Sequence, residues 1–151
     1  MNVLVNISNI DACRKQFNQQ PNIVSLIIRV SRDKNLLEKI KSTSDEKDPS
    51  VMLINSTITL LYNLTCEEEI LLSVKNSDHI TGNFLDLAKN SRYNRIRLQA
   101  YQIVAVILDD DAIKKLNLTQ LSASTITAEF LKFLQMAVKS PTQRYLGVHV
   151  S

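Results

Sequence analysis

Three stretches of the chain superpose on one another. Val24, Leu26, Ile27 and Val30 align with Ile58, Leu60, Leu61 and Leu64, and again with Tyr101, Ile103, Val104 and Ile107. An acid follows in each copy, Asp33, Glu67 and Asp110, and an aliphatic residue comes three positions later at Leu36, Ile70 and Ile113. The offsets between copies are about 34 and then about 43 residues, the range in which helical units stack into solenoids. A unit of that length cannot bury its apolar face alone and does so against its neighbours. The pattern therefore predicts an all-α chain of about three stacked repeats.

Composition agrees. With 151 residues the chain can bury a proper core in one domain. Only two glycines and three prolines occur, less turn punctuation than sheets or phosphate-binding loops need. The net charge of +3 is too mild and too dispersed to predict a nucleic-acid-binding face. No uninterrupted apolar run reaches spanning length, and MNVLVNISNIDAC has no basic segment ahead of its short apolar run. The expectation is a cytoplasmic protein without membrane segments. Asn6, Asn55, Asn63 and Asn117 stand in sequons, read as chance in a chain rich in Asn, Ser and Thr.

Local signals divide the chain into helices. A first is expected from Ser8 to Gln19, with Ser8 or Asn9 as its cap and Pro21 beyond its end. A second covers about Asn22 to Ser31. Asp33 opens a third to about Lys41. Thr43 to Pro49 is a charged linker, and Pro49 starts a helix to about Thr65 that is apolar nearly all round. Glu67, Glu68 and Glu69 open the next, to Lys75, where their charge opposes the helix dipole. Asp78 is expected to cap a helix carrying Ile80, Phe84, Leu87 and Ala88. Asn94 to Leu108 is the second nearly all-apolar helix. A short one follows from Asp109–Asp111 to Leu116, and a last one from Thr119 or Ser122 to Lys139, ended by Pro141.

This order, a short acid-capped helix, an amphipathic helix and a long buried helix, resembles the armadillo repeat. The best match is Glu67 to Leu116; Asp33 to Thr65 is similar to a shortened unit of the related HEAT pattern. The segment LLYNLTCEEEILLSVKN is similar to armadillo arrays found in large signalling proteins that also carry a TIR domain. The resemblance implies a right-handed α-α superhelix. On it the chain reads as a single domain: residues 22–65 a shortened repeat, 66–108 a full one, 109–139 a partial one and 140–151 a tail. Import-receptor armadillo domains are similar in carrying Trp and Asn ladders; here Trp is absent, and Asn63 aligns with Arg29 and Val106.

Candidate chemistry is sparse. Cys66 and His79 flank a predicted helix, but a catalytic pair would have to meet in space beside a third orienting group. Cys66 reads better as a small, partly buried residue at a helix junction. The runs Glu67–Glu69 and Asp109–Asp111 sit at helix starts, and successive helical residues diverge by about 100° instead of converging on a cation. Neither catalytic residues, metal nor cofactor is expected. Lys89, Arg92, Arg95 and Arg97 form the densest basic cluster, suited to phosphates or an acidic peptide, or simply to a solvated corner.

The sharper lead is a polar stripe on otherwise apolar helices. Asn22, Ser25 and Arg29 match Ser56, Thr59 and Asn63, then Gln99, Gln102 and Val106. Their spacing of i, i+3, i+7 puts them on one face. A polar stripe on a buried helix must reach water or a partner. The reading is a non-enzymatic scaffold that binds a protein or extended, acidic peptide on its concave face. Ser25, Arg29, Thr59, Asn63, Arg95, Gln99 and Gln102 are the binding residues. The alternative is a structural spacer or oligomerisation segment of a longer array. The apolar tail residues Tyr145, Leu146, Val148 and Val150 add an expectation of self-association through the C-terminal end.

Overall fold

A computed structural model describes residues 1–115 and 120–139 of the chain. Every regular element among them is an α-helix, and no strand occurs among the described residues. The chain divides into two units, Met1–Ile107 and Leu108–Ser151.

The first unit opens with two short helices, α1 (Asn2–Ser8) and α2 (Asp11–Phe17), where one helix from Ser8 to Gln19 was expected. Ser8 ends a helix; it does not cap one. Its hydroxyl turns back to donate to the Val5 carbonyl at 2.6 Å, and Arg14 Nη1 donates to the Ser8 carbonyl at 3.0 Å. A serine can serve either helix end, because its hydroxyl both donates and accepts. The extended backbone of Ile10 then restarts the chain at α2 without a side-chain cap.

Helix α3 (Pro21–Ser31) begins on proline and buries Val24, Ile27, Ile28 and Ser31, the i, i+3, i+4, i+7 stripe of an amphipathic helix. Leu26 does not share the burial of its aligned partners. It is 48% exposed, whereas Leu60 and Ile103 are fully buried. Equivalent positions in the repeat pattern therefore differ in burial. α3 packs on its neighbours along one stripe only, and Leu26 lies off it.

Asp33 caps α4 (Lys34–Ser42) as expected: its carboxylate accepts from the Leu36 amide at 2.9 Å. Asp48 does the same for α5 (Pro49–Leu64), accepting from the Ser50 amide at 2.8 Å, with Pro49 as the first helical residue. α5 is the hub of this unit. It touches α1, α3, α4 and α8 (Asn94–Ile107), which accounts for its apolar residues on nearly every side. Ile54, Ile58, Leu60, Leu61 and Leu64 are all fully buried.

After α5 come α6 (Glu68–Lys75) and α7 (Ile80–Asn90). Asp78 does not cap α7. His79 occupies the cap position with φ 59°, the left-handed conformation. The Asp78 carbonyl instead accepts from Arg32 Nη1 at 2.6 Å, tying this corner to the end of α3. α7 packs most extensively on α8, and Arg97 Nε of α8 donates to the Ala88 carbonyl in the last turn of α7 at 2.9 Å.

The second unit contains α9 (Asp110–Lys115) and α10 (Gln120–Lys139). Phe133 is buried, Phe130 and Leu134 are half-buried, and Leu131 is exposed. The expectations for Leu116, the side chains of Ile126 and Ala137, and the tail from Pro141 lie outside the described residues. No helix of the described residues is long and apolar enough to cross a membrane.

Candidate functional site

The polar stripe falls on three helices of the first unit, and each helix treats it differently. On α3, Ser25 and Arg29 are exposed and make no side-chain hydrogen bond or ion pair among the described residues. They stand on the side opposite Val24, Ile27 and Ile28, which face the core. On α8, Arg95 is exposed, Gln102 half-buried and Gln99 buried.

On α5 the stripe is half-buried, and much of it is engaged within the chain. Gln99 Nε2 donates to the Thr59 hydroxyl, which itself donates to the Asn55 carbonyl at 2.9 Å. The stripes of α5 and α8 therefore meet at Thr59 and Gln99. Asn63 Nδ2 donates to the Ser8 hydroxyl at 2.9 Å, and the Ser56 hydroxyl donates to Asn2 Oδ1 at 3.2 Å. Both of those partners belong to α1, so α1 lies along the part of α5 that carries Ser56 and Asn63. Nothing in the repeat alignment places α1 there. Its contacts join residues far apart in sequence, and its own seven residues carry no repeat pattern.

Of the seven residues singled out, the structure joins Thr59 to Gln99 and gives Asn63 a partner on α1. Ser25, Arg29, Arg95 and Gln102 keep their polar ends uncommitted among the described residues. Gln99 Oε1 and Asn55 Oδ1 are buried acceptors without a partner among the described residues. Each such atom costs about 1–3 kcal/mol relative to a satisfied one, so Gln99 and Asn55 each bring an unsatisfied polar atom into the interior.

The basic cluster does not act as one patch. Arg97 is half-buried and spends its Nε on α7, as described above. Arg92 Nη1 donates to the Thr43 carbonyl at 3.2 Å, and the buried Tyr93 hydroxyl donates to the same oxygen. The corner before α8 is thereby fastened to the linker between α4 and α5.

A further charged cluster sits on α2. Lys15 Nζ lies 3.0 Å from Asp11 Oδ2, and Arg14 Nη2 lies 3.3 Å from Asp11 Oδ1. Arg14 Nε also lies 3.6 Å from Glu67 Oε1, in front of α6. The Lys15 ammonium, by hydrogen bond and charge, holds the Asp11 carboxyl below its usual 3.8. Asp11 in turn pushes the Lys15 ammonium above 10.5. The i, i+4 spacing of Asp11 and Lys15 was the legible signal for this pair. Glu67, expected to serve the start of α6 through its charge, makes no side-chain cap bond and pairs with Arg14.

Cys66 is exposed, not partly buried. It lies two residues ahead of α6, and His79 caps α7 beyond the turn that follows α6; no hydrogen bond joins the two among the described residues. Among the described residues no group of three or more His, Cys, Asp or Glu is placed to hold a metal ion. Comparisons with known protein families, curated proteins and solved structures give no match.

Proposed function

We propose that the chain is a non-enzymatic scaffold that binds a protein or an extended acidic peptide on a face of an armadillo-like, right-handed stack of about three helical repeats, in the cytoplasm. The observation that carries this reading is the pair of exposed cations, Arg29 on α3 and Arg95 on α8. Both stand on helices whose opposite sides are buried, and both helices flank α5. The packing of α3 on α5 and of α5 on α8 is the contact order expected of aligned helices in a stack. The hydrogen bond between Thr59 and Gln99 supports a common face for two of the three stripes. Because α1 engages Ser56 and Asn63, the binding surface narrows to Ser25, Arg29, Arg95 and Gln102, with Thr59, Asn63 and Gln99 shaping its floor.

Selection of a displayed peptide library on the full chain tests the reading. Acidic peptides should be enriched. The double variant Arg29→Glu/Arg95→Glu should lose at least about tenfold in affinity for them at unchanged helicity. Peptides that bind the double variant as well as the parent, or a selection without acidic enrichment, would refute it. The second reading, a structural spacer within a longer array, draws on the internal bonds of Thr59, Asn63 and Gln99, which need no ligand.

A further inference from the structure

We propose that Ser44, in the linker between α4 and α5, is a phosphorylation site for an acid-directed protein kinase, and that Arg92 receives its phosphate. Three hydroxyls occur together at this point, and two are committed. Ser42 Oγ donates to the Lys39 carbonyl at 2.8 Å in the last turn of α4. Thr43 is half-buried, and its hydroxyl accepts from the Asp45 amide at 3.3 Å. Ser44 is exposed, and its hydroxyl has no partner among the described residues.

Asp45 and Glu46 follow directly and Asp48 stands four positions on, with Lys47 between them. Such a run is what a kinase with a basic substrate groove recognises by charge complementarity. In the transfer, Ser44 Oγ forms a bond to the γ-phosphorus of ATP. The bond from that phosphorus to the β–γ bridging oxygen breaks, and ADP leaves with the electron pair. The hydroxyl proton passes to the base of the kinase.

The receiving group is already in place. Arg92 Nη1 is 3.2 Å from the Thr43 carbonyl, and the Tyr93 hydroxyl shares that acceptor. Standard peptide dimensions put the Ser44 Cα about 2.8 Å from the same oxygen. A guanidinium has five N–H donors; Arg92 is exposed and forms no ion pair among the described residues, so most of its donors remain. A phosphate on Ser44 adds a charge of about −1.5 to −2 and is matched by the planar fork of an arginine. Asp45, Glu46 and Asp48 oppose the added charge and Arg92 offsets it; Asp45 accepts from the Lys47 amide at 2.9 Å and Asp48 caps α5, which holds both carboxylates on the backbone without neutralising them. The modification would pin residues 43–48 to the corner before α8.

Two measurements on the full chain test the proposal. In the first, an acid-directed kinase and ATP are added and the product is mapped by mass spectrometry. Phosphate on Ser44 is expected; phosphate only on other residues, or none, overturns the assignment. In the second, phosphoserine is encoded at position 44 and amide exchange across residues 43–48 is compared with the unmodified chain. Exchange should slow about fivefold, and the slowing should fall below about twofold in Arg92→Gln. Unchanged or faster exchange, or slowing that persists in Arg92→Gln, overturns the role of Arg92. Arg92→Gln without phosphate, checked for unchanged helicity, supplies the baseline.

Discussion

Replacing Leu61 by alanine tests the architecture where it is most exacting. Leu61 is fully buried on α5, the helix that four others touch. The change removes three carbons, worth roughly 2.4 kcal/mol at about 0.8 kcal/mol each. A residual cavity adds on the order of 1 kcal/mol, because neighbours on several helices cannot all collapse into it. The expected loss is about 3–4 kcal/mol. With a urea m-value of about 2 kcal/mol/M, the unfolding midpoint should fall by about 1.5–2 M. Leu26→Ala is the internal control. Leu26 holds the neighbouring register of the same repeat pattern, yet it is 48% exposed. Half of its side chain is already in water and no closed cavity can form, so about 1 kcal/mol is expected. Equilibrium urea unfolding followed by circular dichroism reads both. A loss below about 1 kcal/mol for Leu61→Ala would mean that α5 is not enclosed. A loss for Leu26→Ala equal to that of Leu61→Ala would mean that the outer side of α3 is covered in solution.

Three further outcomes follow from single contacts. In a double-mutant cycle, Thr59→Val and Gln99→Leu should couple by about 1 kcal/mol; strict additivity would show that the bond joining α5 to α8 is not made in solution. Asp33→Ala should cost about 1 kcal/mol by uncovering the Leu36 amide, with the loss of amide protection concentrated in the first turn of α4; protection lost evenly over the whole chain would contradict a local cap. The Asp11–Lys15 pair sets a pH dependence at both extremes. Because the folded Asp11 pKa lies below 3.8, its contribution is present above 3.8 and is lost as pH falls through the folded value. Because the folded Lys15 pKa lies above 10.5, its contribution is complete below 10.5 and is lost as pH rises through the folded value. An NMR titration should place the Asp11 carboxyl below 3.8 and return it toward 3.8 in Lys15→Gln. An Asp11 value indifferent to that substitution would remove the pair as the cause.

Much of the helix plan was legible because its signals are local. Pro49 at the first position of α5 and the carboxylate of Asp33 act on backbone groups within three residues, so they read the same in the sequence and in the fold, whereas Pro21, read as lying beyond a first helix, opens α3, and Asp48, read as part of a linker, caps α5. The nearly continuous apolar composition of α5 likewise announced a helix enclosed on most sides. Where a residue type serves two local purposes, the same reading failed. Ser8 could begin or end a helix, and its bond to Val5 decided for the end. Asp78 stands where a cap is expected, but the helix starts one residue later, and His79 takes the cap position in a left-handed turn while Arg32 ties down the Asp78 carbonyl.

What only the tertiary structure decided is how many neighbours each helix acquires. Periodicity identifies a face that wants burial, but it cannot count the elements that will cover that face. Leu26, Leu60 and Ile103 are equivalent in pattern, and they differ because α5 and α8 are enclosed while the outer side of α3 is not. The polar stripe divides for the same reason. Thr59 found Gln99, Asn63 found Ser8 on a helix that no repeat pattern announced, and Arg29 and Arg95 stayed in solvent. Local chemistry determined that these stretches are helices and which side of each is polar. Long-range packing determined which polar groups were left to meet something else, because pairing between residues some 40–55 positions apart depends on the whole arrangement of helices and leaves no mark at either position alone.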